Sequence, residues 1–215
     1  MKLTIVYDNE VYKKGLGLQS DWGFSCLITT DDDMILLDTG ANGHILLNNM
    51  KKLGIVPDEI RAIVISHEHH DHNGGLADIA PFVGKTQLFR LWADSPSREF
   101  TVIPVKRPLE ICDGVYSTGK LHGTIDEQAL VLQGENGYTV LVGCSHPGVG
   151  RILKAAEHYG HVNGLVGGLH GFNNFSLLEE LDFVCPCHCT TEKTTIRKLF
   201  PETSIECGVG RILEI

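Results

Sequence analysis

Short apolar runs, each ended by polar residues or glycine, recur along the whole chain and predict alternating strands and helices. In the first half, Asp31-Asp32-Asp33 predicts a turn that pairs the runs on either side of it as a hairpin. Apolar residues at helical spacing over 44–53 predict a helix that Gly54 ends. The other predicted elements of this half are strands at 3–7, 24–30, 34–37, 60–65 and 86–91 and a short helix at 76–79.

The second half of the chain repeats this alternation. Residues 128–133 and 138–142 predict a hairpin with the turn Glu135-Asn136-Gly137, because Asn-Gly favours tight hairpin turns. A helix is predicted over 190–200, with Thr190 or Thr191 as its N-cap. Residues 92–120 receive no assignment. The remaining predictions are helices at 150–158 and 177–181, strands at 165–168 and within 205–215, and a cysteine-rich loop that follows 183–184.

Two similar stretches suggest how the halves pack. Residues 36–40 and 141–146 are each a hydrophobic strand that ends in small and polar residues and precedes a helix. Two such layers of strands and helices, packed sheet against sheet, predict an α/β fold in the form of a four-layer αββα sandwich. No linker-like segment divides the 215 residues, so we expect a single domain over 1–215.

Composition and charge narrow the range of functions. A formal net charge of −9, without a basic stripe, argues against a nucleic-acid partner and leaves a small-molecule substrate open. Because no apolar run reaches the roughly 18 residues that span a bilayer, we expect no membrane partner. Seven cysteines, an odd number, fit a reducing cytoplasmic setting better than a disulfide framework. Homo-oligomerisation stays open.

The strongest chemical signal is the segment Ser66-His67-Glu68-His69-His70-Asp71-His72-Asn73-Gly74-Gly75, which directly follows a predicted buried strand. His67 and His69 are two positions apart, so in an extended segment their rings point to the same side and can chelate one metal ion. Asp71 and His72 follow where the chain turns, and they can bind a neighbouring ion. Imidazole and carboxylate ligands suit zinc, iron or manganese.

This segment is similar to the H-x-H-x-D-H signature of the metallo-β-lactamase superfamily, and the resemblance covers the whole chain. It implies the αββα fold, a hydrolase-type activity and two divalent metal ions, zinc first, with manganese or iron as alternatives. The stretch from Leu36 to Gly40 resembles an early strand of the superfamily that ends in aspartate. By that resemblance, Asp38 orients a metal-bound histidine.

Two metal ions need further ligands downstream. His146 follows a predicted strand, as a ligand loop does, and is the expected third histidine of the first ion. His188 is expected at the second ion, beside the 71–72 pair. His122 lies near the place where many members of the superfamily carry a ligand loop, and it is the alternative to His146.

Cysteines stand at two informative places. Gly143-Cys144 occupies the position where many members of the superfamily have Gly-Asp, whose carboxylate bridges the metals, so the bridging ligand stays open. Cys185, Cys187 and Cys189 alternate around His188. Their spacing is not the C-x₂-C of structural zinc sites, so we expect small, reduced core residues rather than a separate thiolate site.

The differences between this chain and common members of the superfamily, such as Cys144 in place of aspartate, are themselves shared by a subgroup. They resemble a branch named 7,8-dihydropterin-6-methyl-4-(β-D-ribofuranosyl)aminobenzene-5′-phosphate synthase-like. Its Gly-Gly-x-His motif implies that His170 faces the site and handles substrate or a proton. The matching segments are Trp22-Gly23-Phe24-Ser25, Asp126-Glu127-Gln128-Ala129-Leu130, Gly143-Cys144-Ser145-His146-Pro147-Gly148, Gly167-Gly168-Leu169-His170 and His188-Cys189-Thr190.

Together these observations predict a metal-dependent hydrolase that acts on a small phosphorylated, pterin-like substrate through a metal-bound hydroxide. Asp71 is the expected group that orients the attacking oxygen, and His170 the expected proton donor. One alternative is a di-iron redox enzyme of the same fold, which usually has a carboxylate where this motif has Glu68 or His69. The other is a metal-binding protein without turnover.

Overall fold

Two β-sheets with helices on their outer faces form the architecture. The computed structural model describes residues 1–92 and 99–215; residues 93–98, within the unassigned segment, lie outside the described residues. The strands are β1 (Lys2–Tyr7), β2 (Ser25–Thr29), β3 (Met34–Leu37), β4 (Ile60–Val64), β5 (Thr86–Arg90), β6 (Phe100–Pro104), β7 (Leu109–Cys112), β8 (Val115–Ser117), β9 (Leu130–Gln133), β10 (Tyr138–Val142), β11 (Val162–Gly168), β12 (Phe183–Cys187) and β13 (Ile212–Glu214). The α-helices are α1 (Gly43–Leu53), α2 (His70–Asn73), α3 (Leu76–Ile79), α4 (Val149–Ala156) and α5 (Lys193–Leu199).

The order of strands brings five loops to one region. The first sheet runs β13-β1-β2-β3-β4-β5-β6, and the second runs β12-β11-β10-β9-β8-β7. Both predicted hairpins form, β2 with β3 and β9 with β10. β3 and β4 are parallel neighbours, and so are β10, β11 and β12. Since parallel neighbours end at the same edge of a sheet, the loops that follow them lie together, which is where ligands bind in open α/β sheets.

Three apolar clusters define four layers. The central cluster joins the two sheets, with Leu37 from β3 and Leu141 from β10. A second cluster packs the outer face of the first sheet against α1, through Leu36 and Leu46. A third packs the second sheet against α4 and α5. Leu36 and Leu37 belong to different clusters because successive side chains of a strand point to opposite faces. The predicted αββα sandwich is confirmed.

The cysteine-rich segment is a strand as far as Cys187, so the prediction of a loop was wrong for 185–187 and right for 188–190. β12 extends through Cys187, pairs with β11 on one side and forms an edge of the second sheet. An edge strand tolerates Pro186, whose ring nitrogen cannot donate to a neighbour. The predicted cap of the next helix was also wrong, because α5 begins at Lys193. Thr190 Oγ1 instead donates to the carbonyl of Cys187 at 2.7 Å.

Other differences concern short elements. The unassigned segment contains β6, β7 and β8, whose side chains are largely half-buried or exposed and therefore give a weak apolar pattern. The predicted helix at 177–181 is a 3₁₀ turn, Phe175–Leu178. In 205–215 the named strand is β13 alone. Among the described residues, no helix has the length and apolar character needed to cross a membrane.

Candidate metal centre

The predicted ligands come together from three separate segments. His67 Nε2 lies 3.2 Å from His69 Nδ1, and the rings of both lie within 5.0 Å of the His146 ring, centre to centre. Two nitrogens bound to one zinc ion at about 2.0–2.1 Å are about 3.3 Å apart in tetrahedral geometry. The nitrogens of His67 and His69 are thus at a spacing that suits one ion, and the His146 ring lies beside both.

The second predicted triad lies directly beside the first. Asp71 Oδ2 is 3.1 Å from His188 Nε2 and 3.7 Å from His72 Nε2. The rings of His67 and His72 are 4.2 Å apart, so the two triads share a border. Residues distant in sequence therefore place six side chains with metal-binding atoms in one cluster.

Asp38 sets the orientation of two of these imidazoles. Its carboxylate accepts from the Ser66 backbone N–H and from Ser66 Oγ, both at 2.7 Å, and its Oδ2 lies 2.7 Å from His72 Nδ1. Ser66 Oγ in turn lies 2.9 Å from His67 Nδ1. With the Nδ1 atoms of His67 and His72 engaged as donors, their Nε2 atoms keep lone pairs directed at the cluster.

His188 has an equivalent partner that sequence reasoning missed. Its Nδ1 lies 2.9 Å from Asn9 Oδ1, and its backbone N–H donates to Asp8 Oδ2 at 2.8 Å. Asp8 and Asn9 follow β1 directly. The sequence could have indicated these two residues, because polar residues at the end of a strand often have a functional role.

Glu127 holds the loop that carries His146. Its two carboxylate oxygens accept four backbone N–H groups, those of residues 143–146, at 2.8–3.1 Å. Burial raises the pKa of Glu127, and these hydrogen bonds oppose that shift. Gly143 completes the arrangement, because a Cβ there would lie 2.2 Å from Ser66 Oγ. The sequence marked both residues only as parts of the branch pattern.

Strained backbone is concentrated at this centre. In the part of the chain that the structure describes, the non-glycine residues with positive φ are Asp38, Ser145, His170 and His188, at 42–62°. Each lies within three residues of the end of a strand, namely β3, β10, β11 or β12. Non-glycine residues rarely adopt this conformation, and where it persists it tends to lie at functional sites.

The protonation states of three of these groups suit a cation, whereas the Asp38 carboxylate raises the pKa of His72 in spite of its burial, so that a metal ion bound there would displace a proton. Burial and the neighbouring imidazoles lower the pKa of His67, and burial together with His170 lowers the pKa of His146 to about 4. Burial alone would raise the pKa of Asp71, but the hydrogen bond with His188 and the charge of His72 lower it overall. Neutral imidazoles and an ionised carboxylate are the forms that bind metal ions.

One atom is a direct sign that a group belongs here. His146 Nε2 is buried and has no hydrogen-bond partner among residues 1–92 and 99–215. A buried polar atom without a partner costs about 1–3 kcal/mol, so such atoms are rare. A metal ion bound by His146, His67 and His69 supplies the missing partner, and the residues present therefore fit a metal centre.

The structure separates the two alternatives for the third histidine. The His122 side chain is 77% exposed, and its Nδ1 pairs with Asp126 at 2.9 Å, away from the two triads. We expect His146→Ala to weaken zinc binding by at least about 10–100-fold, the loss known for groups that only support a ligand. His122→Ala is the matched control and should leave the affinity unchanged. Titration against a chromophoric chelator measures both; equal losses would contradict this assignment.

The other predicted groups lie at the edges of the centre. His170 is exposed, and its ring is 4.9 Å from that of His146. Glu68 pairs with Arg90 and accepts from Asn73 at 3.0 Å, so its carboxylate is engaged outside the triads. Trp22, 58% exposed, lies 4.9 Å from the His188 ring and forms an apolar wall that sequence reasoning did not assign.

Five of the seven cysteines form two groups. Cys185 and Cys187, from one face of β12, lie with Cys207 in the core between the sheets, all three buried and free, with sulfurs within 4.8 Å of one another, a spacing that could also hold a metal ion. Cys189 instead contacts Cys144, with their sulfurs 3.2 Å apart. The Cys144 sulfur also lies 3.2 Å from His72 Nε2, which places it beside the predicted ligands.

Comparison with known proteins agrees with this geometry. Residues 18–89, which include the H-x-H-x-D-H segment, match the family described as Anti-Pycsar protein Apyc1. A protein of Methanocaldococcus jannaschii named 7,8-dihydropterin-6-methyl-4-(β-D-ribofuranosyl)-aminobenzene-5′-phosphate synthase is 24% identical, over 91% of this chain and 90% of its own.

Solved structures give the same fold. The crystal structure of Tm1679, described as a metal-dependent hydrolase of the β-lactamase superfamily, superposes with a TM-score of 0.74 at 26% identity, over 100% of this chain and 99% of that one. The metallo-β-lactamase fold protein YhfI from Bacillus subtilis has a TM-score of 0.71 at 13% identity, over 99% and 98%. The chain has the metallo-β-lactamase fold and is similar over its whole length to a metal-dependent hydrolase of that superfamily, and its match in Methanocaldococcus jannaschii is consistent with the pterin-synthase-like branch that the sequence resembles.

Proposed function

We propose that this protein is a metal-dependent hydrolase with a dinuclear centre. The first ion would be held by His67, His69 and His146, and the second by the remaining triad of Asp71, His72 and His188. The observation that carries the proposal is the convergence of these side chains around the partnerless Nε2 of His146. Zinc is the expected metal, since imidazole-rich sites suit it.

The residues of this chain would prepare and shield the centre. Metal ions bound there supply Lewis acidity and activate water at neutral pH. Asp38, Ser66 and Asn9 hold three imidazoles in the tautomer that binds metal. Asp71 keeps a negative charge where an attacking oxygen is oriented, and exposed His170, beside His146, is placed to give a proton to a leaving group.

For the substrate, we propose a small phosphorylated molecule with a planar, pterin-like ring. Two features support this. The name of the Methanocaldococcus jannaschii relative contains both a dihydropterin and a 5′-phosphate. The exposed indole of Trp22, beside His188, offers a face on which a planar ring can stack.

The free cysteines fit a reducing setting, and we propose that the protein works in the cytoplasm.

A substrate panel tests the proposal. Phosphomonoesters, phosphodiesters, lactones and thioesters, offered with zinc- and manganese-loaded protein, should identify hydrolysis of a phosphorus ester. The His67→Ala variant should show none of it. Binding of two metal ions without turnover of any class would favour the metal-binding alternative. Activity that persists in metal-free protein would overturn the proposal.

A further inference from the structure

Cys144 lies at the boundary between the two triads. Its Sγ is 3.2 Å from His72 Nε2. In the described part of the chain, its sulfur belongs to three groups of metal-binding atoms that lie within 4.8 Å of one another. One group is with His170 and Cys189. The other two include ligands of the triads, His67 and His146 in one and His72 and His188 in the other, and Cys144 is the member common to these two groups. Two ligand atoms on one zinc ion are at most roughly 4.4 Å apart, so both groups are near the spacing that a shared sulfur needs.

The carboxylates near Cys144 are already engaged in hydrogen bonds, so the sulfur is the group available between the two triads. Cys144 is buried, and its backbone is fixed by the hydrogen bond from its N–H to Glu127 Oε1 at 2.9 Å. The Glu127 carboxylate is already used by four backbone N–H groups, and Asp38 by Ser66 and His72. Neither of these two carboxylates is free to bridge, and the third nearby carboxylate, Asp71, is assigned to the second ion together with His72 and His188.

We propose that the Cys144 thiolate bridges the two metal ions in place of a carboxylate. This inference rests on the dinuclear centre proposed above. On metal binding the thiol releases its proton to solvent, and the sulfur donates one lone pair to each ion. Because thiolate is a soft ligand, the bridge favours zinc, iron or cobalt over manganese or magnesium.

Cobalt substitution tests the bridge without relying on activity. Cobalt(II) bound to thiolate has a near-ultraviolet charge-transfer band, which imidazole and carboxylate ligands do not produce. The wild-type protein, reduced and loaded with two equivalents, should show the band, and its cobalt EPR signal should fall below that of two isolated ions because the bridge couples them. The band should disappear in Cys144→Asp, which should still bind two ions and whose carboxylate would keep the two ions coupled.

Variants of the neighbouring thiols identify the sulfur. Cys189→Ser and Cys207→Ser should keep the band, since their sulfurs lie beside Cys144 and in the core cluster, respectively. Cys144→Ala should lower the affinity for the second metal ion by at least about 10–100-fold. If Cys144→Asp fails to fold, the wild-type band and coupling, with the two serine variants, still decide the matter.

The outcomes separate this inference from the proposed function. Two cobalt ions bound without the band, or a band lost only in Cys189→Ser or Cys207→Ser, would overturn the bridge and leave the dinuclear centre standing. A Cys144–Cys189 disulfide found by mass spectrometry in reduced, metal-loaded protein would do the same. Failure of the wild type to bind cobalt would overturn both.

Discussion

Replacing His67 and His69 together with alanine is expected to remove the first metal ion and to reduce turnover to the uncatalysed background. The two rings supply adjacent nitrogens 3.2 Å apart, and the buried Nε2 of His146 alone cannot hold an ion. Each lost ligand should weaken binding by at least the about 10–100-fold known for supporting groups, so the pair should cost more than about 100-fold. Elemental analysis after dialysis, with the substrate panel, measures both effects.

A matched double variant controls for the loss of two imidazoles. His158 and His161 are both exposed and lie outside the two triads. His158→Ala with His161→Ala should keep the full metal content and activity. Equal metal loss in the two double variants would mean that the binding is non-specific and would remove the basis for the first triad.

Changing Asp38 to alanine should give the largest loss of stability. The substitution leaves three buried donors without an acceptor, namely the Ser66 N–H, Ser66 Oγ and His72 Nδ1. Each such donor costs about 1–3 kcal/mol, although Ser66 Oγ can turn elsewhere, so we expect a loss of about 3–5 kcal/mol. Urea unfolding of the metal-free protein measures it.

Asp38→Asn separates stability from metal binding. Asparagine also tolerates the positive φ of 57° at this position, so the loss of stability should be smaller. Its amide N–H₂, placed against His72 Nδ1, favours the tautomer with the proton on Nε2, which cannot bind metal. Metal affinity should therefore fall by about 10–100-fold while the fold persists. An asparagine variant with normal affinity would contradict the orienting role of Asp38.

The sequence predicted the layers of the fold and nominated the candidate ligands because both depend on local pattern. Apolar runs marked the central strands, whose side chains are buried. The segment 67–72 contains enough potential ligands to indicate a metal site by itself. His146 was predicted because it follows a predicted strand, and His188 because it lies in the last candidate ligand loop of the chain. Edge strands such as β6 and β7 were missed because their half-buried side chains leave a weak pattern.

What the sequence did not reveal depends on contacts between distant segments. Asn9 reaches His188 across 179 positions, and Glu127 binds a loop that begins 16 residues later. The positive φ of His170 and His188 has no signature in residue type. In the sequence, Cys144 was noticed only because it stands where an aspartate was expected. Its candidate role as a ligand follows from the position of its sulfur between the two triads.

The central claim is that these imidazoles and Asp71 hold metal ions, and anomalous X-ray diffraction tests it most directly. Crystals grown with zinc, measured on both sides of the zinc absorption edge, should show two peaks about 3.5–4 Å apart. One peak should lie among His67, His69 and His146, and the other among Asp71, His72 and His188. Zinc found only at Cys185, Cys187 and Cys207, or no peak at the triads, would contradict the account.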